Sequence, residues 1–513
     1  MAVQIIYVVL CAACILLCVL REMHMLQLNS YQFRSHFTWM RKNLVHYLPQ
    51  LLLLAVACSL LTGLTAFRIL TPLLLLPVAL SNLPRKAKKP LVYTARVKRM
   101  LVTFGLLAAA CLTAACLLGG NWGLLLCMGT AALTPLLLVL ANAVNAPVEA
   151  AVRQYYVQDA KRMLRAMPEL HIVGITGSYG KTSMKFYLSS ILQSQKNVLM
   201  TPESYNTPMG VVKTIRTQLR PTHEYFICEM GARRIRQIRE LCRIVHPQDG
   251  ILTSIGPQHL ETFHSIDAIV STKFELADAL PAGGRIFLNG DNEYIRERLS
   301  KYPNAITYGL QPGSDYSVSD LEVSFRGTRF TVHTPSGEAC TFTTTLLGEH
   351  SVLNMLGAIA YCHAIGIPLE KLVLPVKRVA PVPHRLQLIE SGGINFIDDA
   401  YNSNFSGCKA ALGALGLFDC YKILVTPGMV ELGAQQEPLN FAFGQEAAKV
   451  CDFVVLVGRK QTEPIYKGLQ DADYPEAQIY IADTLQDGLQ KIHALQTDQK
   501  KIVLLENDLP DNY

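Results

Sequence analysis

The chain has 513 residues, half of them hydrophobic, with a mean hydropathy of +0.23 and a net charge of +7. That is too apolar for an ordinary soluble enzyme, and the excess lies before about residue 145; beyond about residue 160 the composition is that of a globular protein. The positive charge gathers largely beside the apolar part, so it is not a nucleic-acid footprint, and the length suggests roughly three domains.

Five apolar stretches open the chain: 3–20, 45–67, 69–84, 100–118 and 124–144. Most reach the ~20 residues that a membrane-crossing helix needs. The third holds Pro72 and Pro77 and reads as re-entrant or coupled to the second. The first lacks a basic start and a small-residue cleavage site before Arg21-Glu22, so it reads as an uncleaved anchor. The basic segment Arg85-Lys86-Ala87-Lys88-Lys89, continued by Arg96, Lys98 and Arg99, should stay cytoplasmic, as should the loop with Arg21, Arg34, Arg41 and Lys42. Five spans then place the N-terminus outside and everything after Val144 in the cytoplasm. Of the 14 Cys, Cys11 and Cys14 have metal-pair spacing but sit in an apolar run and read as small buried hydrophobes. The Cys of the second part are single, as suits a reducing compartment. Residues 148–166 read as a connector helix.

Residues 173–184, VGITGSYGKTSM, carry the most chemistry. A β-branched run ends at Ile175, a turn follows with Gly177 and Gly180, and a helical pattern opens at Lys181-Thr182-Ser183. Strand, Gly-rich turn and helix N-terminus make a phosphate cradle. Backbone N–H groups of Thr176, Gly177, Ser178 and Gly180 would face phosphate oxygens. Lys181 would reach the β/γ phosphates, and the Thr182 hydroxyl can ligate Mg²⁺. Ile175 stands where the longer P-loop pattern has its first Gly, so the match is to TGxxGKT.

Strand and helix signals then alternate: strand 197–200, helix 208–219, strand 225–230, helix 234–245 and strand 250–255. This predicts a parallel, doubly wound sheet with ligands at the strands' carboxyl ends. Glu229 lies at one such end and His259 follows another; an acid opposite a P-loop Thr suits Mg²⁺. Residues 306–345 alternate apolar and polar and read as a small antiparallel insertion. From about 385 the alternation resumes, with strands at 395–397, 422–425, 453–457, 479–481 and 501–505. Gly458-Arg459-Lys460 at a strand end reads equally as an anion site or an exposed turn.

The ordered motifs resemble the Mur ligases. Glu229-Met230-Gly231-Ala232, Ile255-Gly256-Pro257-Gln258-His259, and Lys273-Phe274-Glu275-Leu276 are similar to that family. So are Asn206-Thr207-Pro208-Met209-Gly210, Gly348-Glu349-His350 with Asn354, Arg385, Asp398-Asp399-Ala400-Tyr401-Asn402-Ser403-Asn404, and Gly428-Met429-Val430-Glu431-Leu432-Gly433. Ser351 and Phe405 depart from the family's Asn and Pro. The resemblance covers about 165–440. The apolar stretches predict an N-terminal α-helical transmembrane region (1–147) and the pattern a connector (148–166); the resemblance implies a central ATP-binding α/β domain (167–384) and a Rossmann-like C-terminal α/β domain (385–513). The resemblance implies an ADP-forming amide ligase working through an acyl phosphate on a cell-envelope precursor; the spans and their charge asymmetry place it in a bacterial plasma membrane with its catalytic domains cytoplasmic.

The resemblance also assigns roles. Lys181, Lys273, His259 and Arg385 would be catalytic. Thr176, Gly177, Ser178, Gly180, Lys181, Thr182, Ser183, Asn354 and Asp399 would hold ATP. Thr182, Glu229, His259 and a carbamylated Lys273 would hold two Mg²⁺. Partners would be ATP, a UDP- or lipid-linked carboxylate, an amine such as D-alanyl-D-alanine, and membrane lipid. Family members begin with a domain for the UDP-sugar; here membrane stretch and connector run almost directly into the P-loop strand, which favours a lipid-linked acceptor as an alternative. A nucleotide-dependent switch or ATPase is the rival of another class.

Overall fold

The computed structural model describes residues 2–62, 71–83, 90–401, 404–430 and 432–508. The basic run 85–89, the stretch 63–70, Asn402, Ser403 and Glu431 lie outside them. The chain divides into two compact units, Met1–Tyr155 and Tyr156–Leu509.

The first unit is helical. Four helices are long and apolar enough to cross a membrane: Gln4–Leu28, Leu44–Thr62, Ala95–Leu118 and Thr134–Arg165. The third predicted stretch yields only a short apolar helix, Thr71–Ser81. The fifth is not one helix. It breaks at Leu133, between Gly120–Ala132 and Thr134–Arg165, where Pro135 suits a first helical turn and not an interior. The connector is likewise no separate element, since residues 134–165 form one continuous helix. Cys11, Cys14 and Cys18 are buried among Tyr7, Val19 and Met23, and among the described residues no group of three His, Cys, Asp or Glu could hold a metal.

The second unit holds two parallel sheets. In the first, β1 (His171–Thr176), β2 (Val198–Met200), β3 (Tyr225–Glu229), β4 (Asp249–Leu252), β5 (Ile286–Asn289) and β6 (Ile306–Tyr308) run in the order β2-β3-β1-β4-β5-β6. β1 is central and buried almost throughout, as its continuous apolar run requires. Its register sets Ile175 beside Glu229, so the P-loop and the acid leave the sheet side by side. The helices Lys181–Leu192 and Glu349–Ala364 cover one face. Pro208–Gln218, Gln237–Val245, Ile266–Phe274 and the last turns of the helix ending at Arg165 cover the other.

Two boundaries differ from expectation. Residues 306–308 do not join the insertion; they extend the parallel sheet, because Phe287–Asn289 pairs with them and the buried Tyr308 donates to Leu252 O (3.1 Å). The insertion proper is β7 (Ser317–Ser324), β8 (Gly327–His333) and β9 (Ala339–Thr344), all antiparallel. The helix expected from 234 starts at Gln237, because the Gln237 Oε1 accepts from the Arg233 and Arg234 N–H groups and Arg236 is left-handed (φ 69°).

The second sheet holds β10 (Gln387–Ser391), β11 (Ile394–Asp399), β12 (Tyr421–Thr426), β13 (Phe453–Val457), β14 (Ile479–Ala482) and β15 (Lys501–Glu506), in the order β10-β11-β15-β12-β13-β14. Only β10 is antiparallel, joined to β11 by the tight turn Gly392-Gly393.

Candidate active site

The P-loop turn depends on two glycines. Gly177 has φ +152°, and a Cβ there would lie 2.1 Å from Thr253 Oγ1. Gly180 has φ +79° and sits against Asn354, whose Oδ1 would be 2.7 Å from an added Cβ. Both positions demand a residue without a side chain. The turn is pinned to the end of β4: Ser178 N–H donates to Ser254 O (2.6 Å), and Ser178 Oγ to Gly256 O (3.1 Å). No side chain caps the helix Lys181–Leu192, so its first N–H groups are left for an anion.

Below the turn lies a buried charged cluster. Glu229 is 1% exposed. Its Oε1 accepts from Thr182 Oγ1 (3.2 Å) and Asn206 Nδ2 (2.9 Å), and its Oε2 is 3.0 Å from Lys185 Nζ. Burial pushes this carboxyl up, but the charges of Lys185 and Lys181 and the Asn206 bond outweigh it and hold it below the ordinary carboxylate range. Lys181, half-buried, donates to Ser178 O (2.8 Å). Burial lowers its ammonium to about 8, with Arg385 adding to the effect and Glu229 opposing it. Lys273 is 2% exposed, and burial and the Lys181 charge hold it well below the usual lysine value. Among the described residues it makes no ion pair.

A cleft of about 600 Å³ adjoins the turn. Gly180, Ser183, Asn354, Arg385 and Asp399 line it, together with Tyr179, Asn292, Tyr294 and Phe405. Asn354 Nδ2 donates to His350 O (2.9 Å), which leaves its Oδ1 toward Gly180. Arg385 stacks over the Tyr401 ring (4.5 Å), and Tyr401 shares a short hydrogen bond with Ser204, beside Asn206. Asp399 is pushed up to about 6 by burial, against the pull of Arg385. Its neighbour Asp398 turns away, binding His384 (2.7 Å) and the Ala400 N–H (3.1 Å). Phe405 opens a helix capped by Asn404, whose Oδ1 accepts from Gly407 N–H (3.0 Å).

The structure thus gathers the predicted residues in two adjoining sets. Thr176, Lys181, Thr182, Glu229 and Lys273 are under or within the turn; Gly180, Ser183, Asn354, Arg385 and Asp399 are on the cleft wall. Thr176 Oγ1 is spent on Met230 O (2.9 Å), locking the turn to β3. His259 starts the short helix Leu260–Phe263 in the left-handed region (φ 57°) and is not on the cleft wall. Sequence reading missed Lys185, which is fully buried. The sequence offers only a weak signal for it: a lysine four positions after Lys181, between the apolar Met184 and Leu188.

A nucleotide-sized cleft beside a phosphate cradle, closed by a second α/β domain, is the arrangement of an ATP-dependent carboxylate–amine ligase. The Mur ligase middle domain matches residues 175–362, and the Mur ligase glutamate ligase domain matches residues 384–506. The UDP-N-acetylmuramoyl-tripeptide–D-alanyl-D-alanine ligase of Escherichia coli is 30% identical over 332 residues, 62% of this chain and 72% of the relative. That of Haemophilus influenzae is 28% identical, over 68% of this chain and 76% of the relative. A crystal structure of MurF from Acinetobacter baumannii superposes with a TM-score of 0.62 at 25% identity, over 69% of this chain and 77% of that one. The chain belongs to the Mur ligase family.

Proposed function

We propose that the chain is a membrane-embedded, MurF-type ligase. It joins a carboxylate of a cell-envelope peptide precursor to an amine such as D-alanyl-D-alanine, converting ATP to ADP and phosphate. The observation that carries this is the Lys181–Thr182–Glu229–Lys273 cluster beneath the turn that adjoins the cleft. A carboxylate oxygen attacks the γ-phosphorus, giving an acyl phosphate and ADP; the amine then displaces phosphate. Such chemistry needs positioning and charge neutralisation rather than a nucleophilic side chain.

The roles proposed for the residues are these. The N–H groups of Gly177 to Thr182 and the Lys181 ammonium hold the phosphates. Asn354 and the wall of the cleft take the adenine, and Asp399 the ribose side. Arg385 neutralises charge at the γ-phosphate. The ionised Glu229 and the Thr182 hydroxyl touching it are hard oxygen donors that fit Mg²⁺. Bound Mg²⁺ would offset the crowding of phosphate against carboxylate. His259 is assigned to a second ion by resemblance alone. Burial and the Lys181 charge hold Lys273 well below the ordinary lysine value, which favours the amine that adds to CO₂, its nitrogen forming the N–C bond and losing a proton. A carbamate carbon resonance after labelling with ¹³C-bicarbonate, lost in Lys273→Ala, tests this assignment.

The apolar outer faces of the first unit support the membrane reading: Ile5, Leu16, Val102, Leu106 and Leu117 are all well exposed. A lipid-linked acceptor is the second reading, because the first unit carries helices long and apolar enough to cross a membrane. ADP release by detergent-purified protein tests both. UDP-muramoyl tripeptide and its lipid-linked counterpart are compared, each with and without D-alanyl-D-alanine. Release that needs carboxylate and amine together establishes the ligase and its acceptor. Release without either leaves an ATPase.

A further inference from the structure

We infer that the arginine-rich face following Glu229 is a docking surface for an anionic phospholipid leaflet. The inference rests on the membrane reading of the first unit. Arg233, Arg234 and Arg236 occupy the turn between β3 and the helix Gln237–Val245, and Arg239 and Arg243 follow on that helix; all five are exposed. The turn is preformed: Gln237 Oε1 accepts from the Arg233 and Arg234 N–H groups, and Arg236 is held left-handed. Its tip carries Ile235, 58% exposed between two arginines. A bulky apolar residue inside a cationic tip suits an interface with charged headgroups over hydrocarbon, and gains nothing in water.

The basic surface continues onto the neighbouring elements. Lys161 and Arg165 end the helix whose first half is apolar, and together with burial their charges hold His246, at the close of Gln237–Val245, below its ordinary value. The acids nearby include Glu240, Asp278 and Glu275, and Glu275 is buried and accepts from the Arg239 N–H (2.9 Å). The turn is also tied to the chemistry. Gly231 N–H donates to Asn206 O (2.8 Å), and Asn206 holds Glu229. A leaflet gripped by this turn would be linked through Gly231 and Asn206 to Glu229.

Hydrogen exchange on the full chain in nanodiscs tests the proposal. In discs containing phosphatidylglycerol, amides of 231–245 should exchange about tenfold more slowly than in phosphatidylcholine alone, and salt should remove the difference. The variant Arg233→Gln/Arg234→Gln/Arg236→Asn, and separately Ile235→Asp, should lose the protection while β1 and β3 exchange as before. Equal exchange in the two lipids, or protection that survives both variants, would overturn the inference and leave a solvated charged face. A chain that does not co-elute with the discs would overturn the membrane reading itself.

Discussion

The two sheets of the second unit share an architecture and differ in chemistry. β1 runs into Gly180 and the helix Lys181–Leu192; β13 runs into Gly458 (φ 85°) and the helix Arg459–Asp471. Each is a strand, a left-handed glycine and a helix that opens on a cation. In the first sheet the hydroxyl after the cation, Thr182, meets Glu229 on the neighbouring strand. In the second, Thr462 bonds its own helix at Gly458 O (2.9 Å), and the neighbouring β12 leads to the buried Asn440, which holds the Met429 backbone. The fold makes both strand ends available; among the described residues, only the first gathers acid, hydroxyl and lysines at one point.

Substitutions can break this contrast. The largest effect is expected from Lys185→Met, which leaves Glu229 buried without its nearest cation. Removing one partner of a buried pair costs about 3–5 kcal/mol, read by denaturant unfolding, and Lys185→Met with Glu229→Gln should recover most of it. Lys181→Ala should lower ligase turnover about 10²–10³-fold with the fold intact, the scale of other preorganised charge contacts. Arg459→Ala, its counterpart in the second sheet, should leave turnover nearly unchanged. Gly177→Ala should cost about 1–3 kcal/mol through its clash with Thr253, seen as a lower Tm.

A smaller effect concerns protons. Lys181 titrates near 8 in the free protein, below its ordinary 10.5. Above pH 8 the free site has lost this proton, and arriving phosphates favour its return. Nucleotide binding at pH 9 should therefore take up about one proton, and at pH 7 almost none, by calorimetry in buffers of different ionisation enthalpy. Between pH 8 and 10.5 the unfolded chain binds the extra proton, so this group makes stability rise with pH there. Lys181→Ala should abolish the uptake.

Local signals made much of this legible. The cradle, Glu229 and the strand–helix alternation appear because glycines, β-branched runs and helix starts act over a few residues. What escaped depends on tertiary placement. Lys185 reads as a surface lysine until β3 brings Glu229 to it. Asp399, singled out by resemblance, lines the cleft, whereas the turn of Asp398 toward His384 shows only in the fold. The break at Leu133 lay within an unbroken apolar run, where hydropathy carries no boundary. The strand β10 is short and largely exposed, so it lacks the apolar run that marks a buried strand.

The most direct test follows oxygen. The acceptor carboxylate is labelled with ¹⁸O, and the phosphate released with ADP is analysed by mass spectrometry in the presence of the amine. Ligation through an acyl phosphate predicts one ¹⁸O in the phosphate for each amide formed, because the carboxylate oxygen that attacks phosphorus leaves with it. Phosphate released without ¹⁸O would show that water, not the carboxylate, attacks ATP, and would contradict the ligase account.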